Sequence, residues 1–160
     1  MPRRRFPTPE QAALGLYPEG FARVIGAVER GDEAVVSLLV TEDGGGYDTE
    51  TDSYGKTSEG WEPWASYGNG GHAHILTGEG LCTVVQVYGA PRNAVAGRFR
   101  LGEFEKTVAV EDGFAFVVFD DVPFDDRPLT SMFDRFERHE WSSLESWIYS
   151  HRDSLEASAR

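Results

Sequence analysis

The sequence contains a single cysteine, Cys82, among its 160 residues. One thiol excludes an internal disulfide framework, and it excludes a structural zinc cluster built from several thiolates. Cys82 stands at the start of an apolar stretch, so we expect a buried and chemically inert side chain there. The cysteine count therefore removes the disulfide-rich and zinc-cluster classes of small protein.

Positive charge is also scarce. The chain has 15 lysines and arginines against 27 acids, which gives a formal net charge of −12. Nucleic acids and anionic membranes attract basic surfaces, so both are disfavoured as partners. A basic protein remains a compatible partner, and much of the charge is expected to be solvated surface that keeps the chain soluble.

Long hydrophobic runs and targeting signals are missing as well. No segment approaches the roughly 20 apolar residues that a transmembrane helix needs. The N-terminal stretch MPRRRFPTPEQAALG is basic but lacks the apolar region of a secretory signal. The expected location is therefore the cytoplasm, with export by a route that reads no N-terminal signal left open.

No catalytic or cofactor motif stands out. The serines and histidines form no G-x-S-x-G frame, and the glycine-rich stretches at residues 44–46 and 68–71 lack the Lys-Ser/Thr of a phosphate-binding loop. We therefore expect no cofactor, and the sequence favours a protein that is not an enzyme without excluding one.

The features that are present indicate β-structure, most clearly in residues 81–122. Residues 95–101 alternate between apolar and charged side chains, which is typical of a half-buried strand. Asp112 and Gly113 predict a two-residue hairpin turn, because both central positions of such a turn require positive φ. Residues 114–119, FAFVVF, predict a central strand that is buried on both faces.

The first predicted element follows a loose arm at residues 1–7. It is a short helix over roughly residues 8–16. Thr8 and Gln11 fit a capping box at its start, and Pro9 suits the first helical position.

A β-meander is predicted to follow this helix. Residues 21–29 and 34–40 flank a Gly-Asp turn and predict a hairpin. Residues 42–58 are acidic and glycine-rich, which predicts either two short strands or a long mobile loop. Residues 60–66 predict the next strand, in which Pro63 forces an edge position or a bulge.

The C-terminal third is ambiguous in its first half. Residues 129–141 match a helical stripe and also a β-hairpin, and the hairpin is favoured because a β-sandwich needs that last pair. Residues 143–158 carry apolar side chains on one face of an amphipathic helix. This helix is expected to pack on its own domain, with self-association as the alternative.

Together these patterns predict a mainly β protein with two lobes. The architecture is an antiparallel β-meander and sandwich, with a short N-terminal helix and a C-terminal amphipathic helix. The predicted parts are a flexible arm at 1–7, a helix and meander lobe at 8–66, a sandwich-like lobe at 67–141, and the terminal helix at 142–160.

Aromatic and acidic residues lie close together in the sequence around residues 42–67. Two tryptophans three positions apart on a strand face opposite sides, so one of Trp61 and Trp64 is expected in the core and the other at the surface. Exposed tryptophans often anchor protein–protein interfaces. The predicted partner-binding residues are Trp61, Trp64, Tyr54, Tyr67, Asp48, Glu50 and Asp52.

A metal site is a weaker hypothesis. His72 and His74 would place both rings on one face of a strand, and the thiolate of Cys82 would be a third ligand. No fourth ligand is indicated by the sequence, and histidines near glycine-rich turns often occur by chance. We therefore expect no metal, and we keep these three residues as weak candidates.

These features favour a non-catalytic acidic module that binds a basic protein, such as an immunity or inhibitor protein. Charge complementarity would speed the encounter, and an exposed tryptophan would anchor the complex. Two alternatives remain. One is a small-molecule- or metal-binding protein or enzyme with a site between the lobes, and the other is a structural protein that self-associates through residues 143–158.

Overall fold

The computed structural model describes residues 6–66, 72–76, 80–89, 96–101 and 104–123. These residues form a mainly β protein with antiparallel sheets and one short helix, which confirms the coarse fold prediction. The helix α1 spans Pro9–Leu14. The strands are β1 (Ala22–Arg30), β2 (Glu33–Thr41), β3 (Tyr47–Thr57), β4 (Gly60–Ser66), β5 (His72–Leu76), β6 (Leu81–Gly89), β7 (Ala96–Leu101), β8 (Phe104–Ala109) and β9 (Phe114–Pro123).

The chain divides into two compact units, Met1–Ile75 and Leu76–Arg160. In the described residues the strands form a four-stranded sheet in the order β1-β2-β3-β4, a three-stranded sheet in the order β5-β6-β9, and a two-stranded sheet of β7 and β8. The predicted hairpin at residues 129–141 and the predicted helix at 143–158 lie outside the described residues.

The four-stranded sheet is a simple antiparallel meander. The predicted first hairpin is confirmed, with Arg30 opposite Glu33. Its turn places Gly31 at φ 63°, which a glycine adopts without steric cost. The central strand β2 is buried on both faces, because its apolar side chains Val35, Val36 and Leu38 are all inaccessible to solvent.

The prediction for residues 42–58 is wrong. One long strand, β3, runs through the segment and pairs with β2 from Thr41–Tyr47 to Glu33–Gly55. Only residues 42–46 form the loop that joins the two strands. The acids gave the segment the composition of a loop, but they alternate with threonine, serine and tyrosine, and the apolar strand β2 supplies the pairing partner that composition does not show.

Helix α1 begins as the sequence predicts and ends earlier. The Thr8 hydroxyl accepts a hydrogen bond from the Gln11 backbone N–H at 3.2 Å, and Pro9 occupies the first turn. The helix buries Ala12 and Ala13 against β1, β2 and β4. Phe6, which the sequence assigns to the loose arm, packs against the same apolar core, and its carbonyl accepts a hydrogen bond from the Trp61 N–H at 3.0 Å.

The second unit is built on the β6–β9 pair. The predicted Asp112-Gly113 turn is confirmed, with φ values of 51° and 84° between Glu111 and Phe114. The prediction that residues 114–119 form a central strand is wrong for the described sheet, in which β6 is central and β9 is an outer strand. Among the described residues, the core of this unit includes Cys82, Val84, Tyr88, Phe99, Ala115, Val117, Phe119 and Val122.

Candidate functional site

Trp61 and Trp64 have opposite environments on β4, as the sequence predicts. The Trp61 side chain is 4% exposed and belongs to the apolar core beneath α1, whereas the Trp64 side chain is 58% exposed. Lys56 pairs with Trp61 across the strands, and its Nζ lies 5.9 Å from the centre of a Trp61 ring. Trp61 is therefore a core residue, and of these two tryptophans Trp64 is the one that a partner can reach.

Trp64 lies at a β-bulge. In the β3–β4 register, Ser53 is opposite Ala65 and Tyr54 is opposite Pro63, so Trp64 is an extra residue without an opposing position. Proline has no N–H to donate to the ladder, and bulges commonly accommodate it. The sequence prediction for Pro63 is confirmed in both respects, since β4 is also the outer strand of this sheet in the described residues.

The Trp64 ring rests on Gly55 of β3. A Cβ atom at Gly55 would overlap Trp64 at Cε2, Cζ2 and Nε1, so the indole occupies the space that a side chain at position 55 would need. Gly55 itself is buried. The exposed indole is therefore supported by the backbone beneath it instead of extending freely into solvent.

The strand register places two glutamates in line with Gly55. Glu33 of β2 is opposite Gly55, and Gly55 is opposite Glu62 of β4. The sequence alone did not indicate that any of these three residues belongs to a site. The available signal was Gly55 itself, because an isolated glycine inside a strand marks a bulge or a close approach.

The predicted acidic residues lie on the other face of β3. Asp48, Glu50 and Asp52 alternate along the strand and are opposite Val40, Leu38 and Val36 of β2. The last two of these apolar residues belong to the core beneath α1, which also contains Tyr54. In place of the predicted short strands or mobile loop, the structure has a row of acids on one strand that packs against the core.

Burial changes the acid–base properties of this row. The Asp52 side chain is only 3% exposed, and Glu50 is half-buried. Desolvation, and secondly the charge of Asp52, raise the pKa of Glu50 above its ordinary value. Desolvation also raises the pKa of Tyr54, with smaller contributions from Asp52 and Glu50. Glu50 and Tyr54 therefore lose their protons less readily than the same groups do in water.

The structure does not bring the seven predicted binding residues onto one surface. Asp48, Glu50, Asp52 and Tyr54 share the face of β3 that carries α1, while Trp64 covers Gly55 on the opposite face. Tyr54 and Trp61 are core residues, and Tyr67 lies outside the described residues. Of the predicted aromatic residues that the structure describes, only Trp64 is exposed.

The weak metal candidates do not form a described site. His74 of β5 is half-buried, and the side chain of His72 lies outside what the structure describes. Cys82 is buried in the core of the second unit, and desolvation raises the pKa of its thiol, which disfavours the thiolate that binds metals. No group of three histidine, cysteine, aspartate or glutamate side chains within the described residues is arranged to hold an ion.

A shallow groove lies at the C-terminal end of α1. It has a volume of about 460 Å³, and its wall is mostly apolar, with Gln11 and Glu19 as the polar side chains. The apolar lining consists of Leu14, Gly15, Tyr17, Pro18, Gly20 and Ala22. The groove offers shape and apolar contact but no nucleophile or metal ligand set.

Comparison with protein-family models, curated proteins and solved structures finds no match to this chain. No helix in the described ranges is long and apolar enough to cross a membrane. The features of the molecule that bear on its function are therefore the geometry around Trp64, the charge of the chain and the groove beside α1.

Proposed function

We propose that this protein is a non-catalytic acidic module that binds a basic protein partner, with Trp64 as its exposed anchor. The observation that carries the proposal is the Trp64 indole, 58% exposed and supported by Gly55 at a bulge. Tryptophan is enriched among the residues that contribute most to interfaces. A side chain that is already supported loses little conformational freedom on binding.

The net charge of −12 supports a basic partner. Complementary charge accelerates the encounter of two proteins, and salt weakens the effect. We propose an immunity or inhibitor protein acting in the cytoplasm as the specific form of this function, because such a module needs tight binding and no chemistry of its own.

Capture experiments with the full chain test the proposal. We expect the immobilised protein to recover one basic protein stoichiometrically from a lysate of the source organism at low salt, and to lose it at high salt. Trp64→Ala should weaken the binding of that purified partner by about tenfold or more, the effect of a central interface residue. An empty capture at both salt concentrations, or equal binding by the variant, would contradict the proposal.

Tyr47→Ala provides the matched control. Tyr47 lies on β3 and, like Trp64, is an exposed aromatic residue, with 67% of its surface accessible. It lies eight residues from Gly55, which corresponds to about 27 Å along a strand. Partner binding should not change in this variant if Trp64 is the anchor.

Charge at Asp48 offers a separate test of electrostatic steering. Asp48 is half-buried, whereas reversal at the buried Asp52 would place a lysine in the interior. Asp48→Lys should slow association with the basic partner and reduce its salt dependence, with little effect on dissociation. An unchanged association rate would contradict electrostatic steering of the partner by this charge.

The groove beside α1 favours a second candidate function, the binding of a small apolar ligand. Its volume of about 460 Å³ lies in the usual range of ligand sites, about 300 to 1,000 Å³. A ligand that co-purifies with the protein and is lost in Leu14→Glu would favour this function. Retention of the ligand by that variant would place it elsewhere.

A further inference from the structure

The two outer strands of the first sheet present different edges. β4 carries Pro63, which has no N–H to donate, and its Trp61 N–H donates to the carbonyl of Phe6 at 3.0 Å. Within the described ranges, no strand pairs with the outer edge of β1. A strand edge with unpaired backbone groups is a template for pairing with another strand.

The hairpin turn determines which backbone groups of β1 reach this edge. A two-residue turn joins Arg30 to Glu33, so these two residues exchange hydrogen bonds across the ladder. Because bonded and non-bonded positions alternate along an antiparallel strand, Glu29 and Ala27 direct their N–H and C=O groups outward. The Glu29 carbonyl accepts a hydrogen bond from Arg30 Nη1 at 2.7 Å, which is consistent with a position outside the ladder. A carbonyl oxygen can accept a second hydrogen bond.

A β-bulge in the middle of β1 shifts this alternation by one residue. Before the bulge, the Thr41 N–H donates to the Phe21 carbonyl at 2.8 Å, so Ala22 and Val24 are the residues that direct their backbone groups outward. Like Ala27, both pack against the core beneath α1, which is consistent with one common orientation.

The four outward residues have a symmetric spacing. Ala22 and Val24 lie before the bulge, and Ala27 and Glu29 follow it at the same intervals. A twofold axis between residues 25 and 26 would set Ala22 opposite Glu29 of a second copy, and Val24 opposite its Ala27. A bulge adds one residue and bends the strand, so an ordinary straight strand does not match this edge. An identical strand does.

Exposed apolar side chains lie beside the start of this edge. Of the six large hydrophobic side chains that are exposed in the described residues, Leu14, Leu16 and Phe21 belong to the segment just before β1. The groove beside α1 is lined in part by Ala22, the first residue of β1. Exposed apolar side chains that cluster in this way are typical of an interaction surface.

The charge of β1 suits a second copy better than a basic partner. β1 has two bases, Arg23 and Arg30, and one acid, Glu29, whereas each of the other three strands of this sheet has more acids than bases. Like charges directly opposite each other destabilise a strand pair, and the twofold register places none opposite. The acidity that attracts a basic protein is therefore not concentrated at this edge.

We propose that the outer edge of β1 pairs with the same edge of a second copy of this chain, and that the two first sheets join into one antiparallel sheet. The contact is isologous, so each copy supplies the same groups. Phe21, directly before Ala22, becomes covered by the hairpin end of the second copy's β1. This surface is separate from Trp64, which lies on the other outer strand of the described sheet.

Sedimentation of the full chain over a wide range of concentrations tests the pairing. We expect a monomer–dimer equilibrium that tightens at high salt, because two copies of net charge −12 repel each other and salt screens the repulsion. Binding of a basic partner has the opposite salt dependence, so the two associations are distinguishable. A monomer at every concentration at high salt would overturn the proposal.

Ala27→Pro tests the edge itself. Proline removes the outward N–H that would donate to Val24 of the second copy, and it leaves the bonds to β2 because that N–H points away from them. Each dimer loses two hydrogen bonds, so dimerisation should weaken about tenfold or more. Trp64→Ala is the control and should dimerise like the wild type. Unchanged dimerisation in Ala27→Pro, or an equal loss in Trp64→Ala, would overturn the pairing.

Disulfide cross-linking tests the register without a proline. Ala22→Cys and Glu29→Cys are prepared as separate proteins, and the register sets the two positions about 5.5 Å apart between Cα atoms, within reach of a disulfide. Their mixture should form covalent dimers with one copy of each.

Each cysteine variant alone should stay uncross-linked, because two copies of position 22 lie about 23 Å apart along the paired strands, and so do two copies of position 29. The native Cys82 is buried and does not compete. Cross-linking that is no faster in the mixture than in the separate proteins would overturn the register, and this result decides the question even if Ala27→Pro fails to fold.

Discussion

Trp61 and Trp64 are three residues apart on β4, yet one is 4% and the other 58% exposed. Trp61 packs into the core beneath α1, while Trp64 lies over Gly55 on the other face of the sheet. The odd spacing along the strand places the two side chains on opposite faces, and the glycine on the neighbouring strand leaves room for the Trp64 ring. Position on the strand, and not residue type, therefore decides which of the two tryptophans is available for binding.

The largest difference between the two tryptophans should appear in stability. Trp61→Ala removes a large buried side chain, which should lower the free energy of unfolding by about 3 to 5 kcal/mol. Trp64→Ala should cost about 1 kcal/mol, the typical effect of a point variant. Chemical denaturation of both variants checks this order, and equal losses would contradict the assignment of Trp61 to the core and Trp64 to the surface.

The centre of the face that carries Trp64 should also be sensitive to substitution. The hydroxyl groups of Ser37 and Thr51 lie 2.9 Å apart, and both side chains are fully buried. Thr51→Val would leave the Ser37 hydroxyl without this partner and should cost about 1 to 3 kcal/mol. The double variant Ser37→Ala/Thr51→Val should be more stable than additivity predicts, and additive losses would argue against the hydrogen bond.

Gly55→Ala tests the support beneath Trp64 without removing the tryptophan. The new methyl group would occupy the position of the indole, so the ring must move. We expect a loss of stability of about 1 kcal/mol and a loss of partner binding close to that of Trp64→Ala. Gly89→Ala is the control, since a Cβ there meets no atom within 4 Å. Wild-type partner binding by Gly55→Ala would contradict the role of this contact.

The smallest effect on stability is expected from substitution of Glu50, which lies on the same face of the sheet as Trp61. Its raised pKa belongs to the folded state, so the folded chain binds the proton more tightly than the unfolded chain. The free energy of unfolding should therefore fall as pH rises from the ordinary pKa of 4.5 through the folded pKa. Glu50→Gln should stabilise the protein at pH 7 by on the order of 0.5 kcal/mol, and should have little effect below that interval.

Urea denaturation at about pH 4 and at pH 7 checks this prediction. Glu29→Gln makes the same charge change on an exposed residue of β1 and serves as the control. A stabilisation by Glu50→Gln that is the same at both pH values would show that repulsion from Asp52 and desolvation of the charged carboxylate are not its cause.

Local signals in the sequence predicted several elements correctly. Thr8 and Pro9 identify the start of α1, and Asp112-Gly113 identifies a turn, because these residues act through their own backbone conformation and near neighbours. Pro63 likewise predicts the bulge at β4, because its missing N–H is a property of the residue itself.

The features that depend on strand pairing were not predictable in the same way. Residues 47–57 became a strand because β2 pairs with them, and the positions of Glu33 and Glu62 on either side of Gly55 follow from register. A shift by one residue would move every side chain to the other face. The candidate site could therefore be predicted as far as an exposed tryptophan, but not its flanking carboxylates.

The most direct test is the nitrogen–proton NMR spectrum of the full chain during titration with the purified basic partner. The four tryptophans give four indole N–H signals, which Trp→Phe variants assign. We predict that the Trp64 signal shifts as the partner binds, while the Trp61 signal stays in place. A stationary Trp64 signal, or an equal shift of Trp61, would contradict it.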